Sequence, residues 1–114
     1  MSGISTHVLD TSRGLPGIDI RVVLERELAP GQWHRLTDAR TDADGRVKAL
    51  LPTGQALELG AYRLTFDTEP YFAKSGVTTF FPSVAVAFRV MDSSRHHHVP
   101  LLVSPFGYST YRGT

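Results

Sequence analysis

Apolar and polar side chains alternate along residues 18–26: Ile18, Ile20, Val22 and Leu24 fall on one face, Asp19, Arg21 and Glu25 on the other. A period of two is that of an extended strand with one face on a core. The period returns in Ile4–Asp10, where Ile4, Thr6 and Val8 oppose Ser5, His7 and Leu9, in Tyr62–Asp67, with Tyr62, Leu64 and Phe66 inward, and in Val84–Val90. Shorter strand-like stretches run over Gln32–Thr37 (with Trp33), Arg46 to about Leu51, Leu57–Leu59, His96 to about Ser104, and Tyr108–Arg112.

Turn-forming residues separate them: the Thr11–Gly17 loop, Ala29-Pro30-Gly31, Asp44-Gly45, Pro52-Thr53-Gly54, Met91–Arg95 and Pro105-Phe106-Gly107, with Gly60 as a bend or bulge. Asp44-Gly45 is a strong tight-turn signal, because glycine accepts the positive φ such turns need. Pro100 has no N–H to give a ladder and predicts an edge strand or a bulge. The one helical candidate is about residues 69–76, two turns at most: Glu69 suits a helix start, Pro70 is tolerated in a first turn and Gly76 suits a C-terminal cap. About eight short strands at regular spacing predict an all-β, antiparallel sandwich or barrel.

The length of 114 residues suits a single domain over 1–114. With 41% hydrophobic and 20% charged residues the chain is an ordinary globular sequence. The net charge is +1 and there is no basic block, so neither nucleic acid nor an anionic membrane is expected as a partner. The absence of cysteine excludes disulfides and thiol chemistry and fits a reducing compartment. No apolar run reaches the length of a membrane span, and Met1–Ile4 lack the features of a signal peptide, so a cytoplasmic location is expected.

Candidate chemistry gathers late in the chain. His96 and His98 lie on one strand face and His97 on the other. A His-x-His pair is a reasonable metal-ligand spacing, with His7 as a third donor. The alternative is that His96 and His97 are exposed on an edge strand. His98 precedes the apolar run Val99–Val103, where partial burial tunes an imidazole for acid–base work, or where a structural histidine closes a strand end. His7 is either a solvent-facing strand residue or a member of a site. Arg46 is either an ordinary charge beside a hairpin or a fixed cation for a carbonyl or oxyanion. Arg112 is either a solvated charge or a fork for a carboxylate or planar ligand. No nucleophile elbow or phosphate-binding glycine loop is present.

Taken together, Thr6-His7-Val8-Leu9-Asp10, Asp44-Gly45-Arg46, His98-Val99-Pro100-Leu101-Leu102 and Tyr108–Thr114 resemble the transthyretin-related 5-hydroxyisourate hydrolases. Tyr62–Thr68, Tyr71-Phe72 and Phe80-Phe81-Pro82 fit that family in order and spacing, so the resemblance covers essentially the whole chain. It implies a transthyretin-like antiparallel β-sandwich of two four-stranded sheets with one short helix, and a homotetramer with active sites at the dimer–dimer interface. It further implies cofactor-independent, metal-free hydrolysis of 5-hydroxyisourate to 2-oxo-4-hydroxy-4-carboxy-5-ureidoimidazoline, between urate and allantoin. By motif, His7, Arg46 and His98 are the catalytic residues it implies, and Tyr111, Arg112, Gly113 and Thr114 help form the substrate pocket. Thr114 stands where the family usually has Ser, which keeps the hydroxyl, and His97 where it commonly has Tyr. The rival expectations are a transthyretin-type carrier of a small apolar ligand on the same fold and a metal-binding protein using His96 and His98.

Overall fold

A computed structural model describes residues 3–114. The elements are β1 (Gly3–Asp10), β2 (Leu15–Pro16), β3 (Arg21–Ala29), β4 (Gln32–Arg40), β5 (Arg46–Val47), β6 (Gly60–Phe66), α1 (Thr68–Ala73), β7 (Val84–Val90), β8 (His96–Ser104) and β9 (Gly107–Thr110). One sheet has the order β4-β3-β6-β7 and is antiparallel throughout. The other has the order β2-β1-β8-β9, with β5 also paired to β1.

This all-β sandwich differs from the expected pair of four-stranded antiparallel sheets in two respects. The second sheet has five strands, because the two-residue β2 and β5 share one edge of β1, at Leu9–Asp10 and Thr6–His7 respectively. In addition, β1 and β8 run parallel over eight residue pairs, from Gly3 opposite His96 to Asp10 opposite Val103. A parallel pair needs a long crossover, and here the whole other sheet lies between its two strands in sequence.

The core lies between the sheets. Ile4, Val8, Val99, Leu101 and Val103 meet Val22, Leu24, Leu64, Phe66 and Val84, all buried, as the period of two requires. Phe72 fastens α1 to the same core.

The remaining differences are local. Ile18 was expected to face the core but is 46% exposed, because Asp19 at φ 58 breaks the alternation before β3 begins. The strand expected to reach Leu51 stops at Val47; Leu50 is still buried, held by its N–H to the Ile4 carbonyl at 2.9 Å. Leu57 is buried outside any strand, and β6 starts at Gly60 with φ 128. The helix is the six residues Thr68–Ala73, ending before Gly76, which takes the positive φ of 69 that terminates the turn.

Pro100 lies not at an edge but in β8, between β1 and β9. Its carbonyl accepts from Thr110 Oγ1 at 2.7 Å, and there β9 ends. The chain leaves the sheet at Tyr111 and Arg112 and returns at Gly113, whose N–H donates to the His98 carbonyl at 2.8 Å. The missing N–H of Pro100 therefore falls where its neighbour has departed, and no ladder bond is lost.

Candidate active site

The outward face of β1 carries Ser5 and His7. Pairing places Arg46 of β5 directly opposite His7, with Pro100 of β8 on the other flank. Two residues back along the strand, on the same face, Ser5 is opposite His98. Three strands that are distant in sequence thus bring His7, Arg46 and His98 onto one sheet face. A depression of about 130 Å³ opens there, lined by Ser5, Thr6, Arg46, Lys48 and His98.

Arg46 is fixed by its own turn. The Asp42 carboxylate accepts the backbone N–H of Asp44 at 2.9 Å and of Arg46 at 3.0 Å, and the Asp42 N–H donates to the Arg46 carbonyl at 2.9 Å. The Arg46 and Asp44 N–H groups and the nearby Lys48 and Arg46 charges hold the Asp42 carboxyl below the usual carboxylate range. Gly45 (φ 76) lies against β1: a Cβ there would come within 2.6 Å of the Val8 carbonyl oxygen, and the Gly45 carbonyl instead accepts from the Val8 N–H at 2.8 Å. This close approach sets Arg46 beside His7.

His98 is half-buried. Burial first, and then the positive charge of Arg46, with lesser contributions from the neighbouring His7 and His96, hold its imidazole below the ordinary value. A neutral imidazole among cations can accept a proton from water, which is what a general base requires. Its Nδ1 lies 2.8 Å from Ser5 Oγ, and the same hydroxyl lies 2.7 Å from His96 Nε2. Gly113 abuts the other side of the ring, leaving too little space for a Cβ.

Of the terminal residues, Gly113 reaches His98, whereas Tyr111 and Arg112 line a neighbouring cleft of about 330 Å³ with Val86, Phe88, His97 and His98. The two hollows meet at His98. His97 points the other way, as expected, but it is buried rather than exposed: β8 is an inner strand, and the Nδ1–H of His97 donates to the Arg95 carbonyl at 2.9 Å. His96 is exposed. Among the described residues, no three His, Asp or Glu side chains converge as a metal site would need.

Two residues in the depression had no standing in the sequence reading. Lys48 is two residues beyond Arg46, hence on the same face of an extended segment, and that spacing could have flagged it. Ser5 shares the His7 face, but its meeting with both His96 and His98 depends on the parallel register, which no local pattern carries.

The profile of the HIUase/Transthyretin family matches residues 4–113. This chain belongs to that family. A Salmonella typhimurium protein named 5-hydroxyisourate hydrolase is 45% identical over 111 residues, which cover 97% of this chain and 80% of that relative. The solved structure of Klebsiella pneumoniae 5-hydroxyisourate hydrolase matches with a TM-score of 0.85 at 36% identity, over 99% of this chain and 100% of that one. Sea bream transthyretin, solved in complex with thyroxine, matches with a TM-score of 0.87 at 29% identity, over 97% of this chain and 94% of that one. Within the HIUase/Transthyretin family, backbone likeness is therefore as high to the carrier as to the hydrolase. The distinction lies in side chains.

Proposed function

We propose that this chain is a 5-hydroxyisourate hydrolase, with His7, Arg46 and His98 as its catalytic residues. The observation that carries the reading is the pairing of Arg46 with His7 and of His98 with Ser5 on one sheet face, where Arg46 and His98 line a common depression. The 45% identity to a protein of that name over nearly the whole chain supports it.

In the proposed reaction His98, with His7 beside it, takes a proton from water as the water attacks a ring carbonyl carbon. Arg46 holds that carbonyl and stabilises the oxyanion that develops on it. Collapse breaks the ring C–N bond, the proton passes to the departing nitrogen, and the opened ring carries the new carboxylate. No step is routed through a metal or cofactor. Tyr111 and Arg112 contribute through the adjoining cleft, Gly113 by seating His98, and Thr114 is assigned with them to substrate binding by its place in the terminal tetrapeptide.

The carrier reading fits less well. A depression bordered by Arg46, Lys48 and His98 offers donors and positive charge to a polar, carbonyl-rich ring and little to an apolar hormone. The assembly we propose is a homotetramer in which the site-bearing faces of two dimers meet, consistent with the exposure of this face in a single chain and with the transthyretin-like neighbours. A single domain and a cytoplasmic location complete the reading. Among the described residues, no helix is long and apolar enough to cross a membrane.

The test is the ultraviolet decay of freshly generated 5-hydroxyisourate with and without the purified protein, in the presence and absence of chelator. Acceleration that survives chelator is expected. No acceleration from the folded protein would overturn the hydrolase reading in favour of the carrier.

A further inference from the structure

A hydroxyl has one proton to give. Ser5 Oγ lies within hydrogen-bond distance of two imidazole nitrogens, Nε2 of His96 at 2.7 Å and Nδ1 of His98 at 2.8 Å. When both rings are neutral, the hydroxyl donates to one of them and accepts an N–H from the other. The three groups therefore share two arrangements, and each fixes a different tautomer of His98.

The surroundings of His98 choose between them. The depression into which it opens is bordered by Arg46 and Lys48, which are donors only. The other groups near it are His7 on β1, His96 on β8, and Arg112 on the terminal segment beside the shared cleft; none is a carboxylate. With Nδ1 taken up by Ser5, Nε2 is the ring nitrogen left to accept from these donors, which makes it the unprotonated one. Nδ1–H then donates to Ser5, and the Ser5 hydroxyl donates to His96 Nε2.

From this arrangement we infer that Ser5 is a positioning residue that holds His98 in its Nδ1–H tautomer and so makes His98 Nε2 the base, with His96 as the acceptor that keeps the Ser5 proton turned away. The inference rests on the hydrolase reading only for what the base does; the tautomer itself is a property of the resting protein. It carries a second consequence. A proton added to His96 turns its Nε2 into a donor, the Ser5 hydroxyl must swing to His98 Nδ1, and His98 passes to the Nε2–H form. The base is then blocked while His98 is still neutral. An exposed histidine thereby governs a half-buried one through a buried hydroxyl.

The decisive measurement is long-range ¹H–¹⁵N NMR of the imidazoles in full-length protein at neutral pH. His98 is expected to show a pyrrole-type Nδ1 and a pyridine-type Nε2. Ser5→Ala leaves Nδ1–H without its acceptor and should shift the His98 signals measurably toward the Nε2–H form, with kcat lowered about 10–100-fold, as when a group orienting a histidine is lost, and KM little changed. Ser5→Thr, which keeps the hydroxyl, should restore both readouts in large part. His96→Ala removes the acceptor of the Ser5 proton and should raise the Nε2–H fraction of His98 in the same spectra. A resting Nε2–H tautomer in the unaltered protein would overturn the assignment, as would a Ser5→Ala variant with unchanged His98 signals. If Ser5→Ala fails to fold, the unaltered protein, Ser5→Thr and His96→Ala still decide the matter. The expected NMR pattern in a protein that leaves 5-hydroxyisourate untouched would sink the hydrolase reading alone and leave the hydrogen-bonded relay standing.

Discussion

Replacing Gly113 by Ala is the sharpest probe of how the terminal segment serves the site. A Cβ at Gly113 would lie 2.6 Å from His98 Cδ2 and 3.2 Å from His98 Cβ and Cγ. The first distance is about 0.8 Å short of ordinary van der Waals contact. His98 Cβ is tied to β8, so either the imidazole rotates or the Gly113 segment moves off. Rotation takes Nδ1 from its 2.8 Å contact with Ser5. Withdrawal breaks the Gly113 N–H bond to the His98 carbonyl and unseats the pocket wall. Either response displaces the proposed base by a sizeable fraction of an ångström, and a misplacement near 1 Å costs about 100-fold in rate. The stability cost is smaller. One backbone hydrogen bond is worth about 1 kcal/mol, or roughly 4–8 °C in Tm. The assay pairs kcat by ultraviolet decay with a thermal scan. Gly107→Ala is the control, since its Cβ would meet only Ser104 Oγ, at 3.7 Å, and a change within about 0.5 kcal/mol is expected. A Gly113→Ala protein with near-unaltered kcat would refute the claim that this residue seats His98. Equal losses in both variants would show only that the C-terminal region is sensitive to substitution.

Other expectations can be measured on the same purified protein. Arg46→Gln should lower kcat about 10²–10³-fold, the scale for losing an oxyanion partner. It should also move the acid limb of the pH–rate profile upward, because burial still depresses the His98 imidazole but the arginine no longer adds to it; a limb that stays put or moves down would contradict the electrostatic account. The same depression has a stability counterpart. Neutral His98 is favoured in the folded chain, so its contribution is complete above the unfolded value near 6.5 and is lost as pH falls through the lower folded value; urea midpoints across that range should show the loss in the unaltered protein and a weaker loss in His98→Gln. Asp42→Ala frees the turn that carries Arg46 and is expected to lower kcat/KM about tenfold through orientation alone, with the acid limb unmoved; full activity would separate the turn from the site. Tyr71→Phe removes the hydroxyl that donates to the buried Asp10 carboxylate at 2.8 Å, and should cost about 1.5–3 kcal/mol in urea unfolding while kcat in the folded protein is kept.

Much of the sandwich is legible in alternation. Tyr62, Leu64 and Phe66 turn inward as their spacing requires, and β7 and β8 begin and end where the pattern does. The pattern fails where backbone geometry intervenes. Asp19 at positive φ reverses the face of Ile18, and Leu50 and Leu57 are buried without belonging to strands, since an apolar residue records burial and not ladder bonding. Pro100 misleads for a different reason. Its missing donor is a fact about one side of the strand, and whether that side is occupied depends on where Tyr111 and Arg112 go. The site is legible as residue types, because Arg46 after a glycine turn and His98 before an apolar run carry local signals. Its meeting is not, because the parallel register that sets Ser5 against His98 joins residues 93 apart in the chain.

The parallel joining of β1 to β8 also dictates when the proposed catalytic surface can come into being. As the chain leaves the ribosome, β1 emerges first and has only the two-residue β2 and β5 to pair with until β8 is made. For most of synthesis it presents an open edge, the kind of template that invites mispairing. The other sheet, by contrast, is built from neighbouring strands and needs nothing beyond Val90. Maturation therefore has two stages, an early scaffold and a late closure by the C-terminal strands. Loop closure over so long a separation makes the second stage the slow one. A chain interrupted before β8 would hold His7 and Arg46 in sequence yet lack His98 and the strand that sets it against Ser5, so the proposed site cannot form until β8 has been made.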